Sequence, residues 1–154
     1  MKQIYSFLQL LILSAAFSFC GKPPEPGIPV TLDKVCSAEY NPFFDEKKRQ
    51  VHRRLSFEGY PAFPRSVMVS STVILDMYPS PDRKGTPISV SFSVKASRNS
   101  VEKPGKGYTD KDLKINANDG TEVGFNTKIR VHGRRLGEAN SGCVVTVDLI
   151  ETVK

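Results

Sequence analysis

Apolar and polar residues alternate in five separate stretches of the chain, which is the pattern of half-buried β-strands. The clearest stretch, residues 88–95, places Ile, Val, Phe and Val on one side and Ser, Ser, Ser and Lys on the other. Phe92 is therefore expected to point inward and the serines outward. No stretch has the period of a long amphipathic helix. The five predicted strands span residues 51–60, 67–78, 88–95, 128–134 and 144–150.

Two of the predicted strands contain a glycine, Gly59 in the first and Gly133 in the fourth. Glycine weakens a flat strand, because it costs backbone entropy and offers no side chain to pack. Each glycine therefore indicates a bend or a close approach of two backbones, as at the corner of a barrel.

The segments between the predicted strands carry turn signals. Residues 78–87, with three prolines and a glycine, predict a hairpin loop, and Asp119-Gly120 predicts a turn. The polar residues 96–109 predict a mobile loop, and residues 110–115 a helical turn or a short strand. Thr31 could cap a short helix that runs through Val35.

The first twenty-odd residues have the pattern of an export signal. Residues 4–19 form an apolar run behind Lys2 that is shorter than the roughly 20 residues of a spanning helix. The run ends at Cys20-Gly21, and together they resemble a bacterial lipoprotein leader, which implies that residues 1–19 are removed and that Cys20 carries the lipid. Phe19 stands where such leaders usually have a small residue, so a plain secretory leader cut nearby is the alternative.

Residues 21–29 contain four prolines. This composition favours extended polyproline II and cannot form a core. We therefore expect residues 20–29 to be a tether between a membrane and a single domain of residues 30–154.

The strand pattern resembles the OB-fold. The first strand corresponds to Leu55-Ser56-Phe57-Glu58-Gly59-Tyr60, and the fourth strand with its approach corresponds to residues 119–134. Residues 31–33 and the Asn41-Pro42 turn resemble the lead-in of small periplasmic OB-fold domains. The resemblance implies an all-β, five-stranded Greek-key barrel with a short helical lead-in. An immunoglobulin-like sandwich is the alternative, although it usually has about seven strands.

Two cysteines remain if Cys20 carries a lipid. Cys36 and Cys143 form an even pair in a chain that the leader sends to an oxidising compartment. A bridge between them would tie the lead-in to the last strand, and closing a loop of about 100 residues is worth about 4–5 kcal/mol in the loop-entropy model. Two buried free thiols are the alternative.

The sequence offers little catalytic chemistry. Its two histidines, His52 and His132, both lie in strand patterns, and neither has a second ligand at zinc spacing. There is no Gly-x-Ser-x-Gly elbow and no P-loop. We therefore predict a protein that is not an enzyme and that holds neither a metal nor a cofactor.

Two functions remain. Lys and Arg outnumber Asp and Glu by 22 to 16, for a formal net charge of +6, which mildly favours an anionic ligand. The first function is therefore a ligand-binding OB module of the cell envelope, for which an acidic glycan, an anionic lipid headgroup or a protein surface is favoured over nucleic acid because of export. The second is a structural or protein-interaction lipoprotein of the envelope. The candidate ligand-binding residues are Tyr60, Arg65, Tyr78, Arg83, Lys84, Arg130, Arg134 and Arg135.

Within this set, Arg134 and Arg135 are consecutive and lie at a strand end, beside the predicted connection of residues 137–142. Arginine forks match carboxylate, sulfate and phosphate groups in geometry. The pair is therefore the candidate for a shallow anion-binding surface on the last hairpin, and two solvated loop arginines are the alternative.

Overall fold

The computed structural model describes residues 25–40, 54–67, 69–95, 97–136 and 142–153. The predicted leader, Cys20, the start of the tether and His52 lie outside these residues. No helix in the described part is long and apolar enough to cross a membrane. The strands are β1 (Ile28–Pro29), β2 (Arg54–Ala62), β3 (Thr72–Tyr78), β4 (Ile88–Ser93), β5 (Ser100–Val101), β6 (Lys114–Asn116), β7 (Glu122–Gly124), β8 (Ile129–Leu136) and β9 (Val144–Thr152).

Five long strands close a barrel. Their order is β2-β3-β4-β9-β8, and β8 pairs with β2 to complete the circle. All neighbours are antiparallel except β4 and β9, which are parallel. The predicted all-β, OB-fold-like Greek-key barrel is confirmed by this closure.

The strand faces follow the predicted alternation. In β4, Ile88, Val90 and Phe92 are buried and the three serines between them are half-exposed. Phe92 is fully buried in the core together with Phe57 of β2 and Leu75 of β3. The sequence pattern therefore predicted correctly which side of β4 faces inward.

Two strand boundaries differ from the predicted ones. The first barrel strand continues to Ala62 and so includes Pro61. β2 pairs with β8 only as far as Gly59, so the edge of β2 that faces β8 is no longer part of the strand ladder at Pro61. The proline, which has no N–H, therefore breaks no hydrogen bond between these two strands. The second strand starts only at Thr72, because Ser70 turns back to bond with Thr72 and ends the apolar stretch that precedes it.

The segment between β4 and β8 is more regular than a mobile loop. β5, β6 and β7 form a small antiparallel sheet, with a 3-10 helix at Asp110–Asp112 before β6. Val101, Ile115 and Val123 of this sheet join the same core as the barrel. Residues 110–115, predicted as a helical turn or a short strand, contain both the 3-10 helix and the start of β6. The prediction of a loop over residues 96–109 is wrong at Ser100–Val101, which form β5. Val101 is one apolar residue in a polar stretch of sequence, so no alternating pattern indicated a strand there.

The two glycines mark close approaches, as predicted. A Cβ atom on Gly133 would lie 2.3 Å from the carbonyl oxygen of Thr146 in β9, and one on Gly59 would lie 2.7 Å from Cγ of Met77 in β3. The register of β8 against β9 shifts between His132 and Gly133, which is a β-bulge.

The segment of residues 25–36 precedes the barrel, and we call it the lead-in. It is attached to the barrel at both of its ends. β1 pairs with the first half of β2 in parallel, and a 3-10 helix follows at Leu32–Lys34. Thr31 precedes this helix, but its side chain makes no capping hydrogen bond. The predicted disulfide is confirmed: Cys36 and Cys143 are joined over 107 residues of sequence.

We expect Gly133→Ala to lower the free energy of unfolding by about 2 kcal/mol or more, because the added methyl group would collide with the backbone of β9. Urea denaturation of the purified domain measures this change. Gly105→Ala is the matched control, since a Cβ atom there meets nothing within 4 Å. Equal stabilities of the two variants would contradict the assignment of a close approach at Gly133.

Candidate ligand-binding site

Three of the predicted ligand-binding residues meet in one cleft on the outside of the barrel. Arg65 follows β2, Tyr78 ends β3, and Arg83 lies in the β3–β4 hairpin loop. The cleft has a volume of about 590 Å³. We call it the aromatic cleft, and its walls include Phe63, Arg65, Asp76, Tyr78, Arg83, Tyr108 and Asp110.

The local chain conformation explains why these side chains converge. Val73, Leu75 and Met77 of β3 point into the core, so the alternate residues Asp76 and Tyr78 point outward. Arg83 adopts a positive φ of 58°, and its backbone N–H donates to the carbonyl of Ser80. This tight turn directs the hairpin loop back toward β3.

The aromatic rings of Phe63, Tyr78 and Tyr108 line the cleft. The rings of Phe63 and Tyr108 pack with centroids 4.8 Å apart at an interplanar angle of 54°. The guanidinium carbon of Arg83 lies 6.0 Å from the centroid of the Tyr78 ring and 5.6 Å from that of Phe125. Both distances are in the range of cation–π attraction.

Asp110 fixes the position of Arg83. One oxygen of its carboxylate accepts a hydrogen bond of 3.1 Å from the backbone N–H of Phe63. The other oxygen forms an ion pair with the guanidinium of Arg83. The segment between β4 and β8 (the insert), the residue that follows β2 and the β3–β4 hairpin loop are thereby held together around one carboxylate, which pre-organises the cleft.

The carboxyl group of Asp76 lies in a different environment from that of Asp110. Burial raises the pKa of its carboxyl group, and the charge of Arg83 only partly offsets this effect. No ion pair of Asp76 is seen among the residues that the structure describes. Its side chain lines the cleft, where the carboxylate can accept hydrogen bonds from a ligand.

The charges of the aromatic cleft nearly balance. Arg65 and Arg83 stand against Asp76 and Asp110. Such a site can stack against a ring, donate from arginine and accept at a carboxylate. In the described ranges, no group of three or more His, Cys, Asp or Glu side chains is placed to hold a metal ion.

The other predicted residues do not join this cleft. Tyr60 pairs with Tyr78 across β2 and β3 but is not part of the cleft wall. Lys84 is exposed and its Nζ lies 2.7 Å from a carboxylate oxygen of Asp82 in the same loop.

The two consecutive arginines of β8 make different contacts. Arg134 is exposed, and its Nε lies 3.9 Å from the carboxylate of Asp148. Arg135 donates from Nη1 to the carbonyls of Cys36 and Ser37, at 3.2 and 2.9 Å, so it holds the lead-in. Burial lowers the pKa of its guanidinium. Anion binding by this pair stays a prediction, although one member already has protein acceptors.

A second, larger cleft lies between the lead-in and the β3–β4 hairpin loop. It has a volume of about 1360 Å³ and includes Arg130. Glu58 contacts Nζ of Lys128 at 2.7 Å and Nη2 of Arg130 at 2.6 Å. These two hydrogen bonds hold the pKa of the Glu58 carboxyl group below its usual range. The positive charges of this cleft are thus neutralised within the protein.

The sequence prediction missed Asp76, Tyr108 and Asp110. Asp76 is part of a strand pattern and looks like an ordinary outward residue. Tyr108 follows Gly107 in a polar stretch, and an isolated aromatic residue in such a stretch is the one signal that could have indicated a contact surface. Nothing in the sequence indicated that this stretch folds back against β3.

Comparisons with known proteins do not place the chain in a family. No protein-family model and no curated protein matches it. Among solved structures, the chain is similar to a protein from Leishmania major Friedlin assigned as an aspartyl-tRNA synthetase, with a TM-score of 0.43 and 7% identity. The match covers 96% of this chain and 26% of that protein. A likeness of this size carries no conclusion about function.

We expect Asp76→Asn to stabilise the fold at neutral pH by about 0.5 kcal/mol, a small value because solvent screens a partly exposed carboxylate. The raised pKa means that the folded state binds a proton more readily than the unfolded state, so stability decreases as the pH rises above the ordinary value of 3.8. Chemical denaturation between pH 3 and pH 7 measures the effect, and Asp119→Asn is the control, because hydrogen bonds lower the pKa of that exposed carboxyl. A destabilising Asp76→Asn change at pH 7 would contradict this account.

Proposed function

We propose that this protein is a lipid-anchored component of the bacterial cell envelope whose OB-fold-like barrel binds an acidic glycan in the aromatic cleft. One observation carries the binding proposal. Arg65, Tyr78 and Arg83 come from three separate parts of the chain, and they meet in one concave site with Tyr108.

The chemistry of the cleft fits a sugar that carries a carboxylate. The apolar face of a sugar ring can pack on Tyr108 and Tyr78, and the half-buried Asp76 can accept hydrogen bonds from hydroxyl groups. Arg65 lies exposed at the rim, where its fork can bind the carboxylate in a bidentate manner.

The same features argue against nucleic acid. Proteins that bind single strands line a groove with excess positive charge and stack successive bases. Here the two arginines of the cleft are balanced by Asp76 and Asp110. An exported protein is also separated from most cellular nucleic acid. An acidic sugar, with one charge per ring and many hydroxyl groups, suits a site of balanced charge better.

The location rests on the sequence of the first thirty residues. The apolar run that ends at Cys20 supports export and lipidation, and the prolines of residues 21–29 support an extended spacer. A disulfide between Cys36 and Cys143 is also in keeping with an oxidising compartment.

A structural or protein-interaction role is the second candidate. The outer faces of β3 and β4 carry half-exposed serines beside Ile74, whose side chain is 44% exposed. Ser91 pairs with both Ile74 and Thr146, so short polar side chains lie beside one exposed isoleucine. An exposed apolar side chain among short polar ones suits contact with another protein more than it suits a small ligand.

We expect the domain of residues 25–154 to bind polygalacturonate, and its fully methyl-esterified form at least tenfold more weakly, because esterification removes the charge that arginine recognises. Arg65→Gln should weaken binding about five- to tenfold without a change in the melting temperature, because its side chain is exposed. Tyr108→Ala should weaken binding to a similar extent and should also lower the melting temperature, because the Tyr108 ring packs against Phe63. Isothermal titration calorimetry at two salt concentrations measures both.

Lys34→Gln is the control for this experiment, since it removes one exposed charge from the lead-in, outside the cleft. The glycan proposal fails if Lys34→Gln weakens binding as much as Arg65→Gln does, or if the esterified polymer binds equally well. Absence of polygalacturonate binding, together with capture of an envelope protein that Ile74→Ser abolishes, would favour the interaction role.

We expect Cys20→Ser to move the protein from the membrane fraction to the soluble fraction. After leader cleavage the acyl chains on Cys20 would be the remaining apolar attachment. Fractionation and mass spectrometry of the mature N-terminus measure this, with Cys36→Ser as the control that keeps the anchor. Cleaved Cys20→Ser protein that stays in the membrane fraction would refute lipidation at this residue.

A further inference from the structure

His132 lies buried beneath the lead-in, and both of its ring nitrogens are hydrogen-bonded. Its exposed fraction is 4%. The backbone N–H of Gly27 donates to Nδ1 over 3.1 Å, and Nε2 lies 3.1 Å from Oε2 of Glu151. A nitrogen that accepts from an N–H carries no proton, so the ring hydrogen is on Nε2 and is donated to Glu151. The bond from Gly27 therefore requires the neutral imidazole.

We propose that His132 is a pH-sensitive latch that holds residues 25–30 against the barrel when neutral and releases them when protonated. An imidazolium ring carries a hydrogen on both nitrogens. Its Nδ1–H would face the N–H of Gly27, and an attractive contact becomes a contact between two donors. Because the bond to Glu151 survives protonation, it is the lead-in that must move away.

The charges around the ring support the conclusion that protonation keeps the bond to Glu151 and breaks the bond from Gly27. The hydrogen bond from His132 holds the pKa of Glu151 below its usual range, so this carboxylate stays ionised in the mildly acidic range and can pair with the imidazolium. Arg130 opposes the added positive charge, but it is shared between Glu58 and Glu151. The charged groups that face the ring or line the cleft beside it are Glu151 on β9, Lys128 and Arg130 on β8, Glu58 on β2, and Asp33 in the lead-in.

Covalent and polar contacts limit how much of the lead-in can move. Its far end is fixed by the disulfide of Cys36 and by the two hydrogen bonds from Arg135. Its near end is held by few bonds: two residue pairs of β1, the contact with His132, the bond from Val30 N–H to the Ser56 carbonyl, and an Arg54 bond to the Glu25 carbonyl. Loss of the His132 contact therefore affects the near end and leaves the far end in place.

Release would change the larger cleft, because Pro26, Gly27 and Val30 form one of its walls. The mouth of this cleft would widen at acidic pH. The barrel itself would keep its shape, since the strands that close it do not depend on the lead-in for their pairing with one another.

Backbone amide hydrogen exchange of residues 25–154, followed by NMR between about pH 8 and pH 5, tests the latch. His52→Gln is the background, so that His132 is the single histidine of the protein. The protection factor is the intrinsic exchange rate of an amide divided by its measured rate at the same pH. The protection factors of Gly27 and Val30 should fall about tenfold on acidification. Protection of Val131, in the middle of β8, should not change.

Two replacements of His132 separate the latch from a structural role. His132→Asn places an amide oxygen near the position of Nδ1, so it should keep Gly27 protected at every pH. His132→Gln offers no acceptor there, so it should leave Gly27 unprotected at every pH. The latch is excluded if the His132→Asn protein still loses protection on acidification, if the parent shows no loss, or if Val131 loses protection together with Gly27.

Discussion

The structure depends on one strand that is paired along both of its edges. β2 pairs with β8 from Arg54 to Gly59, and with β3 from Tyr60 to Ala62. The change of partner occurs at a residue with no side chain, so that Met77 of β3 can come close to the backbone of β2. Closing the barrel leaves few strand edges along which another chain could add a strand. The edge of β2 that faces away from β8 is covered by β1 at Leu55 and Ser56 and by β3 from Tyr60 to Ala62.

The barrel could be predicted because its information is local. Alternation shows which side of each strand is buried, and Gly59 and Gly133 show where backbones approach, whatever the final topology is. The insert could not be predicted in the same way. β5 has two residues and one of them is a serine, so its place in a sheet is decided by β6 and not by its own pattern.

The candidate site depends on the register between strands and on the way distant segments of the chain cross one another. No short stretch of the sequence contains this information. Arg83 was a reasonable candidate as a loop arginine, but its partner Asp110 lies 27 positions later, in a segment read as a turn or short strand. Arg135 shows the opposite case. An arginine at a strand end looks like a free cation, and here it donates to the carbonyls of Cys36 and Ser37.

The disulfide has a mechanical consequence. If the chain before Glu25 is fixed to a membrane, any pull on the barrel enters through the lead-in and reaches Cys36. There the load divides, since one path continues along the chain toward β2 and the other crosses the sulfur atoms to Cys143, next to β9. β2 and β9, which both pair with β8, then share the force, and β2 cannot be peeled off alone. A tethered domain built in this way can resist traction far better than its small size suggests.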